Sequence, residues 1–169
     1  MRFAKILVLA LVLTTGGCGY HLANKGANAG TGKTIAVPTF SNVTTNYRVE
    51  QRVSEALRRE LIQRTRYKVV SSEAGDVLVT GDVIQYTAFP TTITAGKASS
   101  YTISLTIRVV VKNTLTGEIL FQNPAWTFRE NFELAPNSVE FVPEEPAAVD
   151  RVASSFASSL VATMLSRTP

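Results

Sequence analysis

The sequence predicts an α+β domain with the element order β-α-β-β-β-α, in which two helices pack on one face of a four-stranded mixed sheet. Segment 46–66 repeats apolar residues at helical spacing, segment 101–112 alternates apolar and polar residues, and segment 149–164 returns to helical spacing. Three consecutive strands suit antiparallel pairing, and one strand brought in across a helix makes the sheet mixed.

The first strand and the first helix are predicted between residues 34 and 66. Segment 34–40 predicts a short strand, and Asn46 can cap a helix that carries Glu50 in its first turn. Segment 67–70 either begins the next strand or leads into it. The predicted buried stripe of the helix is Val49, Val53, Ala56, Leu57 and Leu61.

The three longer strands follow. Segment 76–89 predicts a strand in which Gly81 marks a bulge or a close backbone approach, and segment 90–100 predicts a turn. Segment 101–112 predicts a strand with one buried and one solvent-exposed face. In segment 118–132 the apolar residues change from odd-numbered to even-numbered positions around Asn123 and Pro124. This change predicts a bulge, and the proline predicts an edge strand.

The last helix is predicted to have Pro146 in its first turn. Its predicted buried stripe is Val149, Val152, Ala153, Phe156, Leu160 and Met164.

Composition and charge exclude several classes of protein. The chain has 169 residues, of which 45% are apolar and 18% charged, as expected for one globular domain. Its formal charge of +4 falls to +2 without Arg2 and Lys5. We therefore expect no nucleic-acid partner, since such proteins carry dense Lys/Arg patches. One Cys and one His cannot make an internal disulfide or a Cys/His zinc site.

The N-terminus resembles a bacterial lipoprotein signal. A short basic segment precedes the eight-residue apolar run 6–13, which suits a signal peptide and is too short to span a bilayer. Small residues then lead to Cys18, as in a lipobox. We expect residues 1–17 to be removed and Cys18 to be acylated, the alternative being an ordinary secretory signal with a free cysteine. Gly19 in place of Asp implies sorting to the outer membrane by the enterobacterial rule.

Residues 18–33 are expected to form the lipidated N-terminus and a flexible tether to a single domain at 34–167. Segment 27–34 fits a permissive phosphate-loop pattern, with Ala27 in place of the first glycine. A working phosphate loop follows a strand and opens a helix. Small and polar residues precede this segment and extended chain follows it, so we reject the nucleotide-binding interpretation.

Catalytic groups are not evident in the sequence. His21 lies in the predicted tether beside Cys18, and Glu140, Glu144 and Glu145 lie together in a proline-rich stretch that predicts a solvated loop. Catalysis needs a nucleophile with a base, paired carboxylates in a cleft, or a metal. We expect a non-enzyme without cofactor or metal, whose one covalent group is the lipid on Cys18.

Basic residues mark two candidate surfaces. The first helix is rich in arginine, which suits either a solvated face with i,i+4 pairs or contact with anionic headgroups or an acidic partner. On the polar face of the sheet lie Arg108 and Lys112, with Lys97 in the preceding turn and Arg129 on the last strand. These four could bind phosphates among Thr and Ser hydroxyls.

Four segments of the chain form a recognisable set. They are CGYHL at 18–22, TIAVPTF at 34–40, the helical run with its following strand at 50–70, and QNPAWTFR at 122–129. Together they resemble the LptE family of lipopolysaccharide-assembly lipoproteins. The resemblance covers nearly all of the mature chain. It implies a non-catalytic lipoprotein of the outer membrane, either facing the periplasm or inside a barrel lumen.

The resemblance also implies partners and site residues. In that family the lipoprotein partners the β-barrel LptD, plugs it, assists its assembly, and binds lipopolysaccharide through basic residues near a central turn and on the sheet. The resemblance implies that Cys18 is the acylated residue and that Lys97 lies in the corresponding turn. It also places Arg129 in a recognisable Thr-Phe-Arg context.

A second family shares part of the pattern. Segment 34–42 followed by an amphipathic helix is also similar to CsgG/LpoB-type lipoproteins, which act in secretion or in activation of peptidoglycan synthases. The short length after the first helix and the Tyr-His-Leu start argue against this alternative. Recovery with an outer-membrane barrel would favour the LptE resemblance, and a homo-oligomeric ring or a peptidoglycan synthase would favour the other.

Overall fold

A computed structural model of the chain describes residues 33–94, 97–133 and 144–167. Within them the elements follow the predicted order, with two short strands added. They are β1 (Thr34–Ala36), β2 (Ser41–Asn42), α1 (Val49–Arg64), β3 (Lys68–Val70), β4 (Val77–Thr94), β5 (Lys97–Asn113), β6 (Ile119–Glu133) and α2 (Glu144–Arg167).

The strands form one mixed sheet in the order β3-β1-β4-β5-β6, and β2 also pairs with β4. Strand β1 runs parallel to β3 and β4, whereas β4, β5 and β6 are antiparallel. The predicted α+β class and mixed sheet are thereby confirmed. The sheet has six strands where the sequence predicted four, because β2 and β3 are too short to show an alternating pattern.

The β4–β5 hairpin is longer than predicted. Its pairing runs from Val77 opposite Asn113 to Thr94 opposite Lys97, so most of the predicted turn at 90–100 is strand. Pro90, the first residue of the predicted turn, pairs opposite Tyr101 beside a register shift. A bulge accommodates a proline because the ladder hydrogen bonds are already interrupted there.

The core lies between the sheet and both helices, as predicted. All five residues of the expected α1 stripe are buried, as are Val149, Val152, Ala153 and Leu160 of α2. Phe156 of α2 is fully buried and makes edge-to-face contacts with Phe40, Trp126 and Phe128. Within the described residues, no helix combines the length and apolar character needed to cross a bilayer.

Helix α1 begins later than predicted. Asn46 was expected to cap it, but the N-cap is Arg48, with a left-handed φ of 63° and no capping side-chain bond. Asn42 holds the preceding loop, because its Nδ2 donates to the Asn46 carbonyl and to Glu50 Oε2, both at 2.8 Å. These contacts between the loop and the helix override the capping preference of Asn46.

Two local predictions for the strands hold. A Cβ on Gly81 would collide with the Phe40 ring and lie 2.8 Å from the Arg108 carbonyl, so a close approach requires glycine there. The β5–β6 register shifts where Trp126 and Asn123 pair with Ile107 and Val109, which confirms the predicted bulge. Strand β6 lies at the edge of the sheet, as Pro124 indicated.

Candidate functional site

The side of β4, β5 and β6 turned away from the helices carries a polar surface, which we call the open face. Successive side chains of a strand point to opposite faces of its sheet. On β5, Ile103, Leu105 and Ile107 are fully buried against the helices, and the residues between them point outward. The open face includes Asp82, Thr102, Thr106, Arg108, Lys112, Thr127, Arg129 and Asn131.

Hydroxyl and amide groups join β5 and β6 across this face. Thr102 Oγ1 donates to Asn131 Oδ1 at 2.6 Å, and the hydroxyls of Thr106 and Thr127 lie 2.9 Å apart. Thr102 and Thr106 are both only 7% exposed, so neighbouring side chains shield them. These cross-strand bonds fix the orientation of the polar groups that surround the exposed cations.

Arg108 is held in place by an acidic neighbour. Its Nε donates to Asp82 Oδ2 at 2.8 Å, across a directly paired position of β4 and β5. The Arg108 side chain remains 53% exposed. A guanidinium has five N–H donors, and this contact uses one of them. The arrangement therefore orients a charged group that can still donate to an anion.

Two other predicted cations, Lys112 and Arg129, lie along the same face. Lys112 is exposed four residues from Arg108, which is about 13 Å along a strand. Arg129 is exposed on β6 and pairs opposite Ser104. Lys97 begins β5 at the far end of the hairpin, about 36 Å from Arg108 along the strand. The structure describes the backbone of Lys97 only, and Cys18 lies outside the described residues.

The geometry therefore places Arg108, Lys112 and Arg129 on one surface without gathering them into a pocket. Such a strip suits an extended ligand with several anionic or hydroxyl groups better than one small anion. The sequence indicated the strip through the alternation of β5. It gave no sign of the Asp82 contact, because the two residues are brought together only by the strand register.

Three arginines of α1 make contacts within the domain. Arg52 pairs with Asp150 of α2 at 2.8 Å, Arg64 with Glu60 at 3.2 Å, and Arg58 donates to the Val37 carbonyl at 2.9 Å. These contacts support the solvated-face interpretation of this helix.

The predicted carboxylate cluster is only partly described. Glu145 Oε1 accepts a hydrogen bond of 2.5 Å from the Tyr86 hydroxyl, which joins β4 to the start of α2. Burial of Tyr86 and its bond to Glu145 raise the pKa of the tyrosine well above its usual value. Glu140 lies outside the described residues. Across the described ranges, no three Asp, Glu, His or Cys side chains come together as a metal site would require.

Solved structures with this fold come from several bacteria. A protein from Xanthomonas campestris aligns with a TM-score of 0.55 at 12% identity, covering 81% of this chain and 86% of its own. A lipoprotein from Caulobacter crescentus gives 0.52 at 10%, covering 76% and 88%. A PelC dodecamer from Paraburkholderia phytofirmans gives 0.51 at 14%, covering 82% and 93%. At such low identity these likenesses establish the fold alone.

Comparison of the sequence with known families is more specific than the structural likeness. No curated protein matches the chain significantly. The family model described as LptE, lipopolysaccharide-assembly, matches residues 32–164, which include every described strand and nearly all of α2. This match favours the LptE resemblance over the CsgG/LpoB alternative. The chain therefore belongs to the LptE family of lipopolysaccharide-assembly lipoproteins.

Proposed function

We propose that this protein is anchored in the outer membrane through an acylated Cys18 and partners an LptD-like β-barrel. In that complex it plugs the barrel, binds lipopolysaccharide on the open face, and assists its transfer to the outer leaflet without catalysing a reaction. The family match over residues 32–164 is the observation that carries this proposal.

The chemistry of the open face suits the proposed ligand. Lipopolysaccharide presents phosphates and sugar hydroxyls along an extended headgroup. Arg108, Lys112 and Arg129 supply cations along the same face, and the shielded hydroxyl of Thr106 lies between the positions of Arg108 and Arg129. Hydrogen bonds between cations and phosphate oxygens are stronger than neutral ones, so these residues would carry most of the affinity.

The same face suits a barrel lumen. The interior of a transmembrane β-barrel is polar, whereas its lipid-facing side is apolar. A plug must therefore present polar side chains to the wall and keep its apolar residues inside. Strand β5 meets this condition, because its buried apolar side chains Ile103, Leu105 and Ile107 turn toward the helices.

Depletion of the protein in its native host tests the proposal. We expect loss of surface lipopolysaccharide and accumulation of an immature barrel protein, and we expect the tagged wild-type protein to recover that barrel. Normal surface lipopolysaccharide after depletion would contradict the function. Recovery of the tagged protein as a homo-oligomeric ring, or with a peptidoglycan synthase, would instead support the CsgG/LpoB alternative.

A further inference from the structure

An apolar cavity opens where both helices end. It has a volume of about 330 Å³ and lies between the last turns of α1 and α2 and the sheet. For comparison, a water molecule occupies about 30 Å³ of liquid. The apolar side chains that line it include Ile35, Leu61, Val77, Val111, Leu120 and Val161.

Lys33, Asn113 and Glu118 also line this cavity, and apolar side chains are exposed at its mouth. Leu120 of β6 and Leu165 of α2 both line it and are 38% and 37% exposed. Exposed apolar side chains beside a concave site are typical of a surface that binds something.

The N-terminal segment enters the domain at this cavity. Lys33, the first described residue, lines it, and its carbonyl accepts a hydrogen bond of 3.1 Å from the Lys68 backbone N–H. The chain from Cys18 to Gly32 therefore joins the domain beside the cavity mouth. Leu22 precedes Lys33 by eleven residues, a span of up to about 36 Å when extended, so it can reach the cavity.

The composition of this segment favours one short part of it as the occupant. From Gly19 to Gly32 the large apolar side chains are Tyr20 and Leu22, and the remaining residues are His, Lys, Asn, Thr, Ala and Gly. Burial of a Tyr or Leu side chain is favourable in proportion to the apolar area removed from water. Two large apolar side chains in a tether of mostly small and polar residues indicate that these side chains contact an apolar surface.

We propose that Tyr20, His21 and Leu22 dock into the cavity at the ends of α1 and α2, with Leu22 packed against Leu120 and Leu165. Docking would hold the domain close to the acylated residue, because only Gly19 separates Cys18 from Tyr20. The cavity would then lie at the end of the domain nearest the acyl chains. The β4–β5 hairpin tip, at the opposite end of the sheet, would lie farthest from them.

Photo-cross-linking of the full-length protein tests this docking directly. With p-benzoylphenylalanine in place of Leu22, we expect an intramolecular cross-link to segment 61–67, 119–121 or 161–165, identified by mass spectrometry. The matched control carries the same group in place of Asn28. We expect at least fivefold less cross-linking to these segments from the control. Equal yields from both positions would overturn the proposal.

Thermal unfolding provides a second readout. Leu22→Asp should lower Tm by roughly 5 °C, because burying a charged carboxylate against the apolar side chains of Leu120 and Leu165 is unfavourable. Leu22→Met keeps an apolar side chain, and Asn24→Asp adds the same charge at another position. Both variants should keep Tm within about 1 °C of wild type. If all three variants unfold at the wild-type temperature, the segment does not dock.

A cross-linker in place of Leu120 distinguishes the other occupants. In purified protein without lipopolysaccharide it should capture residues 20–22. Capture of added lipopolysaccharide, or of a barrel protein in cells, with no link to residues 20–22, would assign the cavity to that occupant and overturn the proposal. Ligand binding on the open face plays no part in these experiments, so their outcome is separate from that of the proposed function.

Discussion

Arg108 and Asp82 face each other across the open face, with 2.8 Å between Arg108 Nε and Asp82 Oδ2. A phosphate that approaches this arginine must compete with the carboxylate already bound to it. We therefore expect Asp82→Asn to raise the affinity for lipopolysaccharide by about two- to fivefold, the size of an exposed ion pair. Equilibrium binding to the purified protein measures this change.

The matched control for Asp82→Asn is Glu55→Gln, which removes the same charge from the exposed side of α1. It should leave the affinity unchanged, because α1 lies on the other side of the sheet. An equal rise in both variants would mean that net charge, rather than release of Arg108, governs binding.

Lys112→Ala and Arg129→Ala should each weaken lipopolysaccharide binding by roughly tenfold, as expected for one charge-assisted hydrogen bond. The two residues make no contact with each other, so their effects should add in the double variant. Both losses should shrink at high salt, which screens exposed charges. Arg59→Ala on α1 serves as the control, and a loss as large in that variant would argue against the open face.

Tyr86→Phe should lower the stability of the domain by about 1 kcal/mol, because Glu145 loses its hydrogen bond from the tyrosine hydroxyl. Chemical denaturation at neutral pH measures this loss. Tyr47→Phe is the control, since Tyr47 is 79% exposed. A variant as stable as wild type would mean that the Tyr86–Glu145 contact contributes little in solution.

The raised pKa of Tyr86 predicts how stability depends on alkaline pH. The stabilisation is complete below about pH 10, where an unfolded tyrosine is protonated. It is lost as the pH rises from there toward the higher pKa of the folded protein. Above pH 10 the Tm of wild type should therefore fall more steeply than that of Tyr86→Phe. Parallel curves for the two proteins would contradict this reasoning.

Gly81→Ala should destabilise the domain by about 1–3 kcal/mol, as overpacking in a core does. The added methyl group would collide with the buried Phe40 ring, and the Arg108 carbonyl leaves it no room on the other side. Urea denaturation measures the loss. Combining Gly81→Ala with Phe40→Leu should give a smaller loss than the sum of the two single variants, because the shorter side chain vacates the space.

Cys18→Ala, exported with a cleavable secretory signal, should give a folded protein that fractionates as soluble. Acyl chains contribute about 0.8 kcal/mol per buried methylene, so their loss removes the proposed anchor. Membrane flotation after a high-salt wash measures the outcome. Persistent membrane association in cells that lack the barrel would show that something other than the lipid holds the protein there.

Local periodicity predicted much of the fold. The alternation of Ile103, Leu105 and Ile107 predicts the central strand, its buried side and its polar side. The stripes of α1 and α2 located the two helices. A parity change at Asn123 located the bulge in β6. Each of these signals lies within a short window of sequence.

Other features depend on contacts between distant residues. Strand β3 is only three residues long and is defined by its parallel partner β1. The start of α1 depends on Asn42, and the hairpin continues past Pro90 because β5 pairs with it there. On the open face, the sequence predicted the cations but not their separation or the Asp82 contact. The register of the paired strands sets both the separation of the cations and the Asp82 contact, and no local sequence pattern encodes that register.

Strand β6 is the edge of the sheet, and along the described residues its outer side pairs with no strand. A free edge of 15 residues invites another extended chain to add to it. Pro124 has no N–H to donate, and the bulge beside it bends the ladder. An incoming strand could therefore pair only with one half of this edge at a time, which limits uncontrolled growth of the sheet.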